Sequence, residues 1–77
     1  MDIKKDKLYY VKEDNARPFE GVIKIIEVIE KYEFYEYQTK IIKIIQDGEY
    51  AIGDNVPFYK EEFIKEITEE EYPEYFI

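Results

Sequence analysis

The chain has 77 residues, 45% of them hydrophobic and 39% charged, with a formal net charge of −8 and no cysteine. That length supports one core and hence a single domain, residues 1–77, because two halves would each be too short to bury enough apolar surface. The composition excludes a disulfide framework and a Cys-based zinc site, argues against direct binding to a nucleic-acid backbone, and offers no segment near the roughly 20 apolar residues of a membrane span.

In chain order, "MDIKKDKLYY" lacks an apolar run of signal-peptide length, so the expectation is a soluble, cytoplasmic protein. "KLYYV" reads as a first strand, and "KEDNARPFE", with Asn15 and Pro18, as a polar loop. "GVIKIIEVIEKYEF" is ambiguous. Val22, Ile25, Ile26 and Ile29 have helical spacing and Glu27 can pair with Lys31, so a helix over about 20–32, in an α+β fold, is the alternative. Six of the eight residues from Val22 to Ile29 are β-branched, which favours a strand from about Gly21 to Glu30.

An internal repeat supports the strand. Lys24-Ile25-Ile26, Val28-Ile29 and Glu33-Phe34 match Lys40-Ile41-Ile42, Ile44-Ile45 and Glu49-Tyr50 at a constant offset of 16. Asp47-Gly48 between apolar runs is a favoured two-residue hairpin loop, since both residue types tolerate positive φ. It predicts Ile45 facing Tyr50, Ile44 facing Ala51, and a short strand from Glu49 to Ile52. By the repeat, the first copy turns near Lys31-Tyr32 and a long strand runs from about Glu33 to Gln46. On that strand Tyr35, Tyr37, Thr39, Ile41 and Ile45 share an apolar face broken by Lys43; Ile42 and Ile44 on the other face require the strand to bend and be covered on both sides. Gly53-Asp54-Asn55 marks a turn, Pro57 is out of place in a central strand, "KEEF" suggests a helical turn, and "FIKEI" a last strand. Thr68 and Glu71 have capping-box spacing, with Pro73 permitting only a single turn before an irregular tail.

His, Cys and Ser are all missing, which removes the usual general base, the thiol nucleophile and every triad built on Ser or Cys. Thr39 and Thr68 have structural roles available, as strand residue and cap. Asp47, Glu49 and Asp54 lack the spacing of a calcium loop, no phosphate-binding or dinucleotide motif occurs, and Gly21, Gly48 and Gly53 fall at predicted breaks. The expectation is therefore no enzyme, no metal and no cofactor. A Glu-based hydrolase would need an open cleft with two facing carboxylates.

Charge is unevenly placed: Met1–Lys12 carries +2 and Pro57–Ile77 carries −5. Glu66, Glu69, Glu70, Glu71 and Glu74, interleaved with Tyr72, Tyr75 and Phe76, form the candidate partner-binding segment, with carboxylates to steer a basic protein and rings to anchor it. Solvation and protection of a sheet edge explain the same charges without a partner. The tail "EYPEYFI" is too aromatic to stay loose, and must pack on its own sheet or on another chain. A lesser acidic and aromatic surface is "EKYEFYEYQ", of which Tyr32, at a turn, is the best exposed contributor.

The order of short strands, with a long bent central strand, the "DG" hairpin and the "KEEF" turn before a last strand, resembles the small SH3-like barrels over roughly Leu8 to Thr68. It implies an all-β, five-stranded barrel with a short helical turn. In composition the chain is similar to small acidic proteins of phages and other mobile elements, some of which inhibit host defence or imitate nucleic acid. The leading expectation is a non-catalytic acidic protein that occludes a basic surface of a larger protein, such as a nucleic-acid-handling host defence enzyme. The alternative is an SH3-like interaction or assembly module, forming homo-oligomers through strand edges or the aromatic tail.

Overall fold

The computed structural model of the protein describes residues 2–14, 18–47 and 49–76. Five strands follow one another: β1 (Leu8–Glu13), β2 (Phe19–Lys31), β3 (Phe34–Asp47), β4 (Asn55–Tyr59) and β5 (Phe63–Ile67). All pair antiparallel in the order β4-β3-β2-β1-β5. A 3-10 turn, Lys60–Glu62, joins β4 to β5 as "KEEF" suggested, and a second, Pro73–Phe76, ends the described chain. The fold is all-β, and the helix over 20–32 does not form. Among the described residues no ladder joins β4 to β5, so the sheet is coiled but not closed by pairing. No helix of the described residues is long and apolar enough to cross a membrane.

The coiling comes from bulges. In the β2–β3 ladder, Ile25 pairs with Thr39 and Glu27 with Gln38, leaving Ile26 extra; on β3, Ile42 and Ile45 are extra in the same way. A bulge bends the strand and shifts the phase of the side chains beyond it. This gives the 16-residue repeat a physical basis: Lys24 pairs with Lys40, Ile25 and Ile41 are both fully buried, Ile26 and Ile42 are both bulge residues, and the strands end at Lys31 and Asp47.

The same bulges correct the predicted faces. Tyr37, Thr39 and Ile41 are buried as expected, but past the bulge at Ile42 the core position passes to Ile44, and Ile45 is 54% exposed. Tyr35 is 49% exposed, because it lies on a part of the hairpin that β4 does not flank. Gly21 is no break: it lies within β2 where the register shifts, and a Cβ there would collide with the backbone carbonyl of Lys43 and the ring of Phe19. The first turn falls at Tyr32-Glu33, one residue later than expected, with Lys31 facing Phe34 and Tyr32 at φ 44°.

The second hairpin is the larger correction. Gly48 of the Asp47-Gly48 turn lies outside the described residues, as does Asn15 of the β1–β2 loop. No strand forms at Glu49–Ile52, and Ile45 and Ile44 do not face Tyr50 and Ala51 in a ladder. The chain reverses instead at Ala51–Asp54. There the Asp54 N–H bonds Ala51 O at 3.0 Å, the Gly53 N–H bonds Ile41 O at 2.8 Å, and Gly53 takes φ +91°. Only then does β4 pair, with Asn55 opposite Lys40 and Tyr59 opposite Glu36. Core filling explains the choice: this pairing buries Val56 and Phe58 beside Thr39 and Tyr37, whereas "EYAI" would bring smaller or more polar side chains. Pro57, lacking a donor, is tolerated because β4 is an edge strand.

The inner face holds Tyr9, Val11, Phe19, Ile23, Ile25, Tyr37, Ile41, Val56, Phe58 and Phe63. Tyr9 and Tyr37 both meet Phe63 edge-on with ring centroids 5.3 Å apart. Thr39, fully buried among them, donates its hydroxyl hydrogen to the Val56 carbonyl at 2.7 Å, the structural role expected of it. The N-terminal segment closes one end: Ile3 joins the core and the Tyr9 hydroxyl accepts the Lys4 N–H at 2.9 Å. Burial raises the pKa of Tyr9, so this hydroxyl stays a neutral partner.

Candidate partner-binding surface

The acidic C-terminal segment is built on the outer face of the sheet. There Leu8 and Val22 of β1 and β2 and Ile67 of β5 form a second, smaller apolar cluster, flanked by Tyr10 and Ile42. The tail covers it. After β5 the Tyr72 N–H reaches back to the Thr68 carbonyl at 2.9 Å, and the Thr68 hydroxyl donates to Glu71 Oε1 at 3.2 Å, so Thr68 and Glu71 pair at the spacing the sequence suggested. Pro73 opens the final 3-10 turn, a position where its missing N–H costs nothing. Tyr72 and Tyr75 then lie against the cluster, their rings 6.0 Å apart, with Lys65 5.0 Å over Tyr72 and Lys43 5.7 Å over Tyr75. Lys65 also donates to the Tyr72 hydroxyl at 3.1 Å, a bond that raises the lysine's pKa.

The tail therefore packs on its own sheet, and this divides the eight candidate residues. Glu66, Glu69, Glu70 and Phe76 line one open groove of about 500 Å³ beside Lys7 and Thr68. Glu66 is half-buried on β5 opposite Tyr9, whereas Glu69, Glu70 and Glu74 are exposed and Phe76 is 41% exposed. Glu71 is engaged with Thr68. Tyr72 and Tyr75 are half-buried holding the tail, and so are anchors within the chain.

A second acidic site escaped the sequence reading. Glu13 and Asp14 at the end of β1 meet Glu61 and Glu62 of the first 3-10 turn across an open groove of about 750 Å³, with Tyr50 and Tyr59 among its walls. Glu62 accepts the Tyr59 N–H at 2.8 Å. Its carboxyl is raised from 4.5 to about 7, first by burial and then by a side-chain hydrogen bond to Glu13 and the charges of Glu13 and Glu61, against the lowering effect of the Tyr59 N–H. Glu13 and Glu62 thus come together from two separate elements of the fold. Their meeting depends on the β1–β5 pairing of Val11 with Phe63, a contact across 52 positions that no local motif announces. Among the described residues no group of three or more acidic side chains has the geometry to hold a metal ion.

No protein family, curated protein or solved structure gives a significant match to the chain.

Proposed function

We propose that this protein is a non-catalytic binding protein whose acidic C-terminal face occludes a basic surface on a larger partner. What supports the reading is the way the acidic segment is held. Tyr72 and Tyr75 fasten it to the sheet, so that Glu69, Glu70 and Glu74 stand on a fixed frame beside the half-exposed ring of Phe76. A preorganised set of carboxylates loses less entropy on binding than a loose tail, and with a net charge of −8 it steers a cationic partner from a distance. The groove of Glu13, Asp14, Glu61 and Glu62 adds to the same field. The missing His, Cys and Ser side chains favour binding over catalysis.

The most concrete form of this role is inhibition of a nucleic-acid-handling host enzyme by occupying its basic groove in the cytoplasm. In fold terms we read the coiled sheet, with a 3-10 turn ahead of β5, as an SH3-like barrel whose seam between β4 and β5 is left unpaired. The test is capture of a partner from the source cell, followed by titration at two salt concentrations with wild type and with Glu69, Glu70 and Glu74 changed together to Gln. The expected result is affinity that falls at least ~10-fold between about 50 and 300 mM salt, and a triple variant that binds weakly at both. A salt-insensitive complex unaffected by the triple variant contradicts the proposal.

A further inference from the structure

We propose that two copies of this chain join along the free edge of β2, antiparallel, with Ile29 opposite Ile29 and Glu27 opposite Lys31 of the second copy. The inference uses none of the C-terminal carboxylates and stands apart from the partner reading above.

The edge is open over a definite length. β1 accompanies β2 only from Phe19 to Lys24, and Asp6 and Lys7 extend the cover by bonding the backbone of Ile25 at 2.9 and 3.0 Å. Beyond Ile25, among the described residues, β2 is paired with β3 alone. The turn at Tyr32-Glu33 makes Lys31–Phe34 the closing hydrogen-bonded pair of the hairpin. Along an antiparallel ladder such pairs alternate, so Lys31, Ile29 and Glu27 bond inwards to β3, while Val28 and Glu30 aim N–H and C=O outwards. The outer edges are less suited: β4 is interrupted by Pro57, and β5 is five residues long with Lys65 and Glu66 near its centre.

Self-complementarity fixes the register. A two-fold axis at Ile29 sets Val28 against Glu30 on each side, so that the outward groups of both strands meet in hydrogen-bonded pairs. It sets Glu27 against Lys31 twice, as opposite charges directly across a ladder, and brings Ile26, an exposed bulge residue, opposite Tyr32, which is 103% exposed. Moving the axis to Glu30 stacks two carboxylates on each other; moving it to Val28 sets Glu27 against Ile29 and breaks both charge pairs. Lys31 already reaches Glu36 of its own chain at 3.0 Å, and the second copy's Glu27 completes a carboxylate–ammonium–carboxylate bridge. With −8 on each chain the copies also repel at long range, and salt screens that repulsion.

Because the chain has no cysteine, one substitution tests the register. Residues facing each other in a non-hydrogen-bonded pair have Cα atoms about 4.5 Å apart, within the about 4.4–6.8 Å a disulfide spans. Under mild oxidation Ile29→Cys is expected to yield a covalent dimer at least ~10-fold faster than Ile52→Cys, an exposed loop control. In sedimentation equilibrium the wild-type chain is expected to approach dimer mass, Lys31→Glu to shift to monomer, and Glu27→Lys with Lys31→Glu to recover the dimer. Lys31→Gln, with its melting curve as a folding control, gives a partial loss if the reversed charge unfolds the tip. A wild-type chain monomeric up to ~1 mM, equal cross-linking of the two Cys variants, or a double variant no better than the single one overturns the proposal.

Discussion

The two ends of the β2–β3 ribbon use the same residue types and meet different fates. Near Ile23, Ile25 and Ile41 the ribbon is covered on its inner face by Tyr9, Phe58 and Phe63 and on its outer face by Tyr72 and Tyr75. Near Val28, Phe34 and Tyr35 it runs beyond β1, and its apolar side chains are exposed. Strand-forming sequence alone does not decide burial: the length of the neighbouring strands does. The covered end carries the stability of the domain, and the bare end is free for contacts with other molecules.

Substitutions at the two ends should separate these roles. Phe58→Ala, deep in the covered end, is expected to cost about 3–5 kcal/mol in denaturant unfolding, while Tyr32→Ala at the bare tip should stay within about 0.5 kcal/mol of wild type. An equal effect at both positions would abolish the distinction. Gly21→Ala comes next, at about 3 kcal/mol, because the added Cβ meets the fixed Lys43 carbonyl as well as a movable ring; a melting temperature unchanged from wild type would mean that the bulge is not needed. Changing Tyr72 and Tyr75 together to Ala uncovers Leu8, Val22 and Ile67 and should cost about 2 kcal/mol by the same measurement, marking the tail as part of the covered end.

The smallest of these effects concerns pH. The Glu62 carboxyl is raised to about 7, so between its ordinary 4.5 and about 7 the folded state holds a proton that the unfolded chain has released. That contribution to stability is full below 4.5, is lost as pH rises through this window, and is absent above it. Glu62→Gln, which cannot ionise, should therefore lose less stability between pH 5 and 7.5 than wild type does in chemical denaturation at each pH. Identical slopes for the two proteins would contradict a Glu62 carboxyl raised by burial and by Glu13.

Much of the fold can be read from the chain because its strands are local signals: "FIKEI" is β5 residue for residue, and the β-branched run from Val22 to Ile29 outweighs its helical spacing. The limit is register. Nothing in "KIIKIIQDGEYAIG" states that Ile42 and Ile45 are bulge residues, so the alternation that places Tyr37, Thr39 and Ile41 inside continues on paper to Ile45, when the core position is Ile44. The Asp47-Gly48 signal failed to place the next strand for a related reason. Turn chemistry is local, but where β4 pairs is decided by which side chains fill the space beside Tyr37 and Thr39. The acidic segment was recognisable from charge and aromatic content, but its division into Tyr72 and Tyr75 held inwards and Glu69, Glu70 and Glu74 exposed depends on an apolar cluster assembled from three strands. The Glu13–Glu62 pair was invisible for want of any local motif.

The proposed role of the carboxylates fastened to the outer face is to bind a basic surface. The most direct measurement is the ionic-strength dependence of the affinity for the captured partner, compared between wild type and the Glu69, Glu70 and Glu74 triple Gln variant. A steep loss of wild-type affinity with salt, and a clearly shallower slope for the variant, is expected. Two parallel lines, or affinity independent of salt in both proteins, would contradict it.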